Sequence, residues 1–468
     1  MSMNRRLSLS VLSLAALASG LSLALPSVAR AELAPAPPAL DARLYALAEA
    51  PSAQRIEQDI RRLVSFGTRN TLSETESDSR GIGAARRFVR DEFERISAAC
   101  GGCLEVRMQR TVVSGDPKTR IPVDTEVVNV FAILRGSDPS RYVLMAGDID
   151  SRASNPSDGV TDAPGANDNA SGLAGVLEAA RVLAAAGPRA ASVVFAALSG
   201  EEQGLYGGAH LAALAREEGW GLEAVLNNDM IGNIAGIDGI ISNAEFRVFS
   251  EAVPMPEYQP KGWNYRRYGG EVDGPSRQLA RRVATLTEQF FPKLQARMVY
   301  RLDRFGRGGH HTPFNNVGFP GVRIMESHEH YERQHQDLRT ENGVTYGDTL
   351  DFVDFKHAAA LTGVNVVTLA SLASAPRAPK DVAIGGVVAP DTWLSWAASD
   401  EPALAGYRLY WRDTDAPQWT HSRWLGKVTH TTLKGMVIDN YLFGVAAVGH
   451  DGNESVVAFP TAVLRSRP

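Results

Sequence analysis

Short, wholly apolar runs alternate with stretches of helical periodicity through the middle of the chain. Residues 142–146 (YVLMA), 193–198 (VVFAAL) and 224–226 (AVL) carry no charge, the pattern of strands buried on both faces of a largely parallel sheet. Between the first two, Leu173, Val176, Leu177, Ala180 and Leu183 recur at helical spacing until Gly187-Pro188 closes the segment. Strand, helix and strand in that order predict a βαβ unit of a doubly wound sheet. Upstream, Ile56, Ile60, Leu63 and Val64 line one predicted helix, and Ala85, Phe88, Val89, Phe93 and Ile96 a second. Leu104, Val106 and Met108 alternate, as do residues 128–134, and predict two strands. The expected fold class is α/β: a mixed, mostly parallel sheet with helices on both faces, followed by a C-terminal β-sandwich.

The pattern divides the chain. Residues 32–54, rich in Ala and Pro, read as a linker or N-terminal arm, and residues 55–372 as the main domain. Tyr258, Trp263, Tyr265 and Tyr268 mark a region that either lines a cleft or forms a surface insertion with its own small core. Residues 373–379 read as a small-residue linker. Beyond it, residues 380–468 hold short alternating segments broken by turn signals such as Asp451-Gly452-Asn453. Trp396, YRLYWR at 407–412 and YLFGVAAVGHDGNES at 441–455 resemble a fibronectin type III module. With its own aromatics and a linker before it, that module is expected to fold separately, with surface or polymer contact as its role.

Composition adds a leader and little else. Residues 1–31 combine Arg5-Arg6, an apolar stretch diluted by Ser and Gly, and an A-x-A site at Ala29-Arg30-Ala31. That reads as a signal peptide rather than an anchor, so export to periplasm or medium is expected. The leader holds three arginines and no acid, so its removal moves the net charge from −5 to −8. A mildly acidic chain argues against nucleic acid as a partner. No later stretch reads as a membrane span. Cys100 and Cys103 are the only cysteines; in an exported chain, C-G-G-C reads as a local disulfide.

The candidate chemistry lies where the strands end. Asp148 and Asp150 follow the first apolar run, Glu201 and Glu202 the second, Asp229 the third, and Asp168 sits in GANDNASG at 165–172. In an open α/β sheet, ligands gather outside the carboxyl ends of the strands. Acids converging there require a neutralising cation, so a metal, and more plausibly two, is expected. Each motif alone has a bland reading: GANDNASG as a turn and helix cap, GEEQG as a solvated loop. Their order and shared position favour the metal.

Residues 142–232 together with His335 resemble the secreted aminopeptidases that use two co-catalytic zinc ions, a family that includes glutamate carboxypeptidases and glutaminyl cyclases. The shared pattern is H-x-D, a GANDNASG-like loop, E-E-x-G-L, D-M-I-G and a late His. The resemblance covers roughly residues 55–372 and implies a mechanism in which a water between two metal ions is activated by Glu201. It makes Asp168 the bridging carboxylate, Glu202 and His335 ligands of one ion, Asp229 a ligand of the other, and Asp150 the residue that orients the H-x-D imidazole. His311, in HHTPF, matches a segment lining the family's active site. The implied activity is hydrolysis of peptide or protein substrates from the amino terminus, with zinc as cofactor.

One position departs from the pattern: Asp148 stands where the family has His. As a ligand it would give the second ion only oxygen donors, which suit manganese or magnesium, and cobalt better than an all-zinc pair. His310, His328 and His330 are expected to shape the pocket rather than replace the imidazole. Two rival readings remain, a glutaminyl-cyclase-like transferase and a non-catalytic binding protein with a degraded metal site.

Overall fold

The computed structural model describes residues 36–253, 265 and 267–468. The leader at 1–31, Tyr258 and Trp263 lie outside the described residues.

The main sheet has eight strands in the order β1-β2-β4-β3-β5-β8-β6-β7. They are β1 (Leu104–Val113), β2 (Thr125–Leu134), β3 (Asp138–Asp148), β4 (Ala191–Leu198), β5 (Gly221–Asn228), β6 (Glu245–Ser250), β7 (Gln295–Val299) and β8 (Gly321–Glu326). β4, β3, β5 and β8 run parallel, whereas β1, β2 and β6 each pair antiparallel with a neighbour, so the sheet is mixed. Strand direction settles where the acids go. The parallel strands end on one edge and deliver Asp148, Glu201, Glu202 and Asp229 to it.

The apolar runs are continuous because both faces of the sheet are covered. Val143, Met145, Val193, Phe195 and Ala197 face one core, under α2 (Ala53–Val64), α3 (Gly81–Ala99), α4 (Ala170–Ala186), α7 (Pro275–Phe290) and α9 (Phe355–Ser374). Tyr142, Leu144, Ala146, Val194, Ala196 and Leu198 face the other, under α6 (Tyr206–Glu217) and α8 (His311–Asn316). Successive residues of a strand point to opposite faces, so a strand covered on both must be apolar throughout.

Two boundaries differ from expectation. Arg43–Glu49 forms a helix, α1, that packs on α9 through buried Leu44; the Ala and Pro content of residues 32–54 concealed it. Residues 373 and 374 close α9, so the linker begins at residue 375. That helix is also long and apolar enough to cross a membrane by length and composition, contrary to the sequence expectation, but most of it is buried in the core. Cys100 and Cys103 are disulfide-bonded just past the end of α3.

A short hairpin, β9 (Arg339–Glu341) and β10 (Val344–Tyr346), precedes α9, and two small sheets form the C-terminal sandwich. One contains β11 (Ala383–Gly385), β12 (Thr392–Ser395), β15 (His430–Leu433) and β17 (Ala462–Val463); the other contains β13 (Leu404–Asp413), β14 (His421–Gly426) and β16 (Tyr441–Gly449). Leu394, Trp396 and Leu433 of the first meet Tyr407, Leu409, Phe443 and Val445 of the second in a core of their own. The sandwich is nevertheless joined to the main domain through buried charge. Asp273, fully buried, accepts hydrogen bonds from Arg281 (2.7 Å) in α7 and from Arg412 (2.8 and 3.0 Å) in β13. Tyr265 stacks on Phe459 of the sandwich, so this part of the 240–300 region serves the junction and not a cleft.

Candidate metal centre

The loop between β3 and α4 is held by side chains remote in sequence. Buried Arg69 donates to the carbonyls of Ile149 (2.8 Å) and Gly165 (2.9 Å) and to that of Pro164. Asp348 accepts the backbone N–H groups of Asn167 (2.8 Å) and Asp168 (2.6 Å). Asn167 donates to Glu326 Oε2 (2.9 Å) and accepts from Gly232 N (2.8 Å), tying the loop to the ends of β8 and β5. Asn169 caps α4 by accepting from Gly172 N (3.1 Å) and donates to Asp148 Oδ2 (2.6 Å). Gly172 is required there: a Cβ would stand 2.2 Å from the Asn228 carbonyl oxygen. The turn-forming residues of GANDNASG are therefore a built platform for Asp168.

Glu201 and Glu202 open a one-turn helix, α5 (Glu201–Gly204), directly after β4. Asp150 receives their backbone N–H groups, at 3.3 Å from Glu201 and 3.0 Å from Glu202. Asp150 thus orients the Glu201-Glu202 turn, where the resemblance gave it an imidazole. Asp150 is itself pushed up to about 6 by burial and by the neighbouring Glu202.

The structure brings Asp168, Glu202 and His335 together. His335 Nε2 lies 2.9 Å from Asp168 Oδ2 and 3.1 Å from Glu202 Oε1, and one donor atom from each of the three falls within 4.8 Å of the others. Among the described residues it is the one cluster of three His, Cys or acidic side chains with that closeness. Two carboxylates and an imidazole are a donor set that zinc accepts, with room for a fourth ligand. Glu202 is buried while His335 is partly exposed, so the cluster opens outward past the imidazole. Burial works against charge on His335, but the two carboxylates outweigh it and raise its pKa to about 10. Burial would raise Asp168 too; His335, Arg304 and Arg307 hold it instead well below the usual carboxylate range. Glu201, beside this cluster, is pushed well above its ordinary value by burial and by Asp229 and Glu202.

Asp148 and Asp229 are engaged otherwise. His310 Nδ1 shares a 2.6 Å hydrogen bond with Asp148 Oδ1, and Asn169 holds Oδ2. Burial, with Asp229 and Asp150 nearby, pushes Asp148 up, while burial pushes His310 down to about 4; each partner therefore favours its neutral form. Asp229 faces Arg323, whose Nη2 stands 2.9 Å from Oδ2. Arg323 also donates from Nε to the Asp229 carbonyl (2.8 Å) and from Nη1 to Asp303 (3.2 Å) and the Gly308 carbonyl (2.8 Å). His311 is fully buried and bonded to the Leu302 carbonyl (2.8 Å). His328 pairs with Asp238 (2.7 Å).

Sequence reasoning missed Arg69, Arg323 and Asp348. Arg323 left a trace, as a lone cation inside the apolar strand GVRIME. Asp348 lies in an ordinary loop and left none.

The sequence profile of peptidase family M28 matches residues 129–355. A probable zinc metalloprotease of Leptosphaeria maculans is 42% identical over 90% of this chain and 98% of its own length. One of Pyrenophora tritici-repentis is 41% identical over 93% and 90%. Among solved structures, the LapA aminopeptidase of Legionella pneumophila shares the fold at a TM-score of 0.52 and 16% identity, over 71% of this chain and 72% of that one.

Proposed function

This chain belongs to peptidase family M28, a zinc metalloprotease family, and we propose from that premise that it is an exported aminopeptidase. The observation that carries the reading is the adjacency of two unlike carboxylates on α5. Glu202 joins Asp168 and His335 in a metal-type cluster, while the side chain of Glu201 stays outside it with a raised proton affinity. Asp168, Glu202 and His335 would hold a zinc ion, which would supply Lewis-acid charge to a scissile carbonyl and to water. Glu201 takes the proton of the attacking water and returns it to the leaving amine. Asp150 fixes the turn on which Glu201 stands, and Asp348 and Arg69 fix the loop that carries Asp168. Release of an amino-terminal residue is supported by the fold shared with LapA and by the acidic surroundings, which favour a cationic amine.

The test compares peptides with free and acetylated amino termini. Free peptides should lose their first residue and acetylated ones should not. Glu201→Gln should keep its zinc and its fold while turnover falls about 100- to 10,000-fold. Loss of ammonia from a peptide beginning with glutamine, without bond cleavage, would replace this reading with cyclisation. Normal hydrolysis by Glu201→Gln would remove Glu201 from its role.

A further inference from the structure

The resemblance implies a second ion shared by Asp148, Asp168 and Asp229. Here Asp229 Oδ2 is faced by the Arg323 guanidinium at 2.9 Å, and both oxygens of Asp148 are engaged, by His310 and Asn169, each at 2.6 Å. We propose that the Arg323 guanidinium is built into the place of the second metal ion, so that the protein binds one zinc per chain.

The donor chemistry supports this. A divalent ion bound to Asp229 would need Oδ2, or a position close to it, and would meet a fixed positive charge there. Arg323 is not a surface residue that could swing aside. It is fully buried and anchored at four further points: the Asp229 carbonyl (2.8 Å), both carboxylate oxygens of Asp303 (3.2 Å each) and the Gly308 carbonyl (2.8 Å). The carboxylate of Asp303 has no part in the metal cluster and serves to hold the guanidinium. Each oxygen of Asp148 likewise already takes part in one short hydrogen bond, with His310 and with Asn169, and Asn169 also caps α4. Of the carboxylates that would hold a second ion, Asp229 is here paired with the guanidinium and Asp148 is bonded to His310 and Asn169. The first site, by contrast, keeps its three donors close and open to the outside. Arg323 is a positioning residue in this scheme: it holds Asp229 and supplies charge without the exchangeable ligand positions of a metal.

The inference rests on the metal cluster described above and not on the peptidase reading, and its test is a count. Purified protein, saturated with zinc and passed through a desalting column, should retain one zinc per chain by elemental analysis. His335→Ala should retain none. Two zinc ions per native chain would overturn the proposal, as would one zinc that survives His335→Ala. The double variant Asp148→His with Arg323→Met should bind a second ion; a folded double variant that still holds one would show that the guanidinium is not what excludes it. If that variant fails to fold, cobalt substitution of the native protein decides the matter. Magnetically isolated cobalt is expected, and a spin-coupled cobalt pair would overturn the proposal. A one-zinc chain that hydrolyses no peptide would defeat the proposed function and leave this inference standing.

Discussion

Arg323 and Asp229 form an ion pair at 2.9 Å with both side chains sealed from solvent, at the edge of the sheet where a hydrolytic site is expected to face water. Burial lowers the proton affinity of a guanidinium, yet Asp229 and Asp303 outweigh it and hold Arg323 above its ordinary value. Burial raises Asp229 while Arg323 opposes that rise, and the guanidinium stays charged. Breaking a buried pair by removing one partner strands the other charge, at a cost of about 3–5 kcal/mol. Arg323→Met should lose that much in chemical unfolding of the metal-free protein. Arg323→Lys should lose less but not little, since one ammonium cannot serve Asp229, Asp303 and two carbonyls together. A methionine variant within about 1 kcal/mol of the parent would mean that the pair contributes nothing of structural weight.

The junction with the C-terminal sandwich gives a second prediction, and it reverses an expectation. Its own aromatic core suggested an independent module, so truncation near residue 375 should have been harmless. Asp273 instead binds Arg281 and Arg412 across the junction, with Gln278 Nε2 as a further donor at 2.9 Å. Cutting the chain there removes Arg412 and exposes Trp419's partner Gln278 and the apolar face of Tyr265. The truncated chain should aggregate or unfold well below the parent temperature. Asp273→Ala in the full chain should lose about 3–5 kcal/mol by leaving two buried arginines without their carboxylate. A truncated chain with an unchanged melting temperature would restore the independent module.

Much of this arrangement is legible in the sequence, and the limits have a physical cause. Continuous apolar runs announce strands covered on both faces, and acids placed directly after them announce the sheet edge where they meet. Asp168, Glu202 and His335 come together as their motifs imply. The partners of Asp148 and Asp229 could not be read in this way. His310 and Arg323 lie 162 and 94 residues away along the chain, and a single sequence carries no sign of which distant side chain closes on which acid. The helix Arg43–Glu49 escaped because its burial depends on α9 and not on any strong amphipathic pattern of its own.

Glu326 yields a prediction about pH. It is fully buried, accepts from Asn167 (2.9 Å) and Asn233 N (3.2 Å), and is raised from 4.5 to about 8 chiefly by burial. A carboxyl raised on folding binds more protons in the folded than in the unfolded state, so its contribution is fully present below pH 4.5 and fades as pH rises to about 8. Glu326→Gln keeps an acceptor but cannot ionise. The stability of the variant relative to the parent should therefore climb across that window and level off above it. Parallel stability curves from pH 5 to 8 would contradict the assignment.

The last prediction concerns the proton that zinc must displace. In the metal-free protein, burial disfavours charge on His335, but Glu202 and Asp168 raise it from 6.5 to about 10. The imidazolium thus stands in for a cation: its stabilisation of the metal-free fold is complete below pH 6.5 and is lost as pH rises through about 10. Zinc requires the Nε2 lone pair that faces Asp168 and Glu202, so binding near pH 7.5 must expel at least one proton. Apparent affinity should then rise roughly tenfold per pH unit between 6.5 and 9 where one proton is released. Calorimetric titrations at pH 7.5 in phosphate and in Tris, whose ionisation heats differ widely, should give different binding heats corresponding to one or more protons taken up by the buffer. In His335→Gln the proton count should drop by one along with much of the affinity. Equal heats in the two buffers for the native protein would mean that His335 is neutral before zinc arrives, and that the two carboxylates do not hold the proton their positions imply.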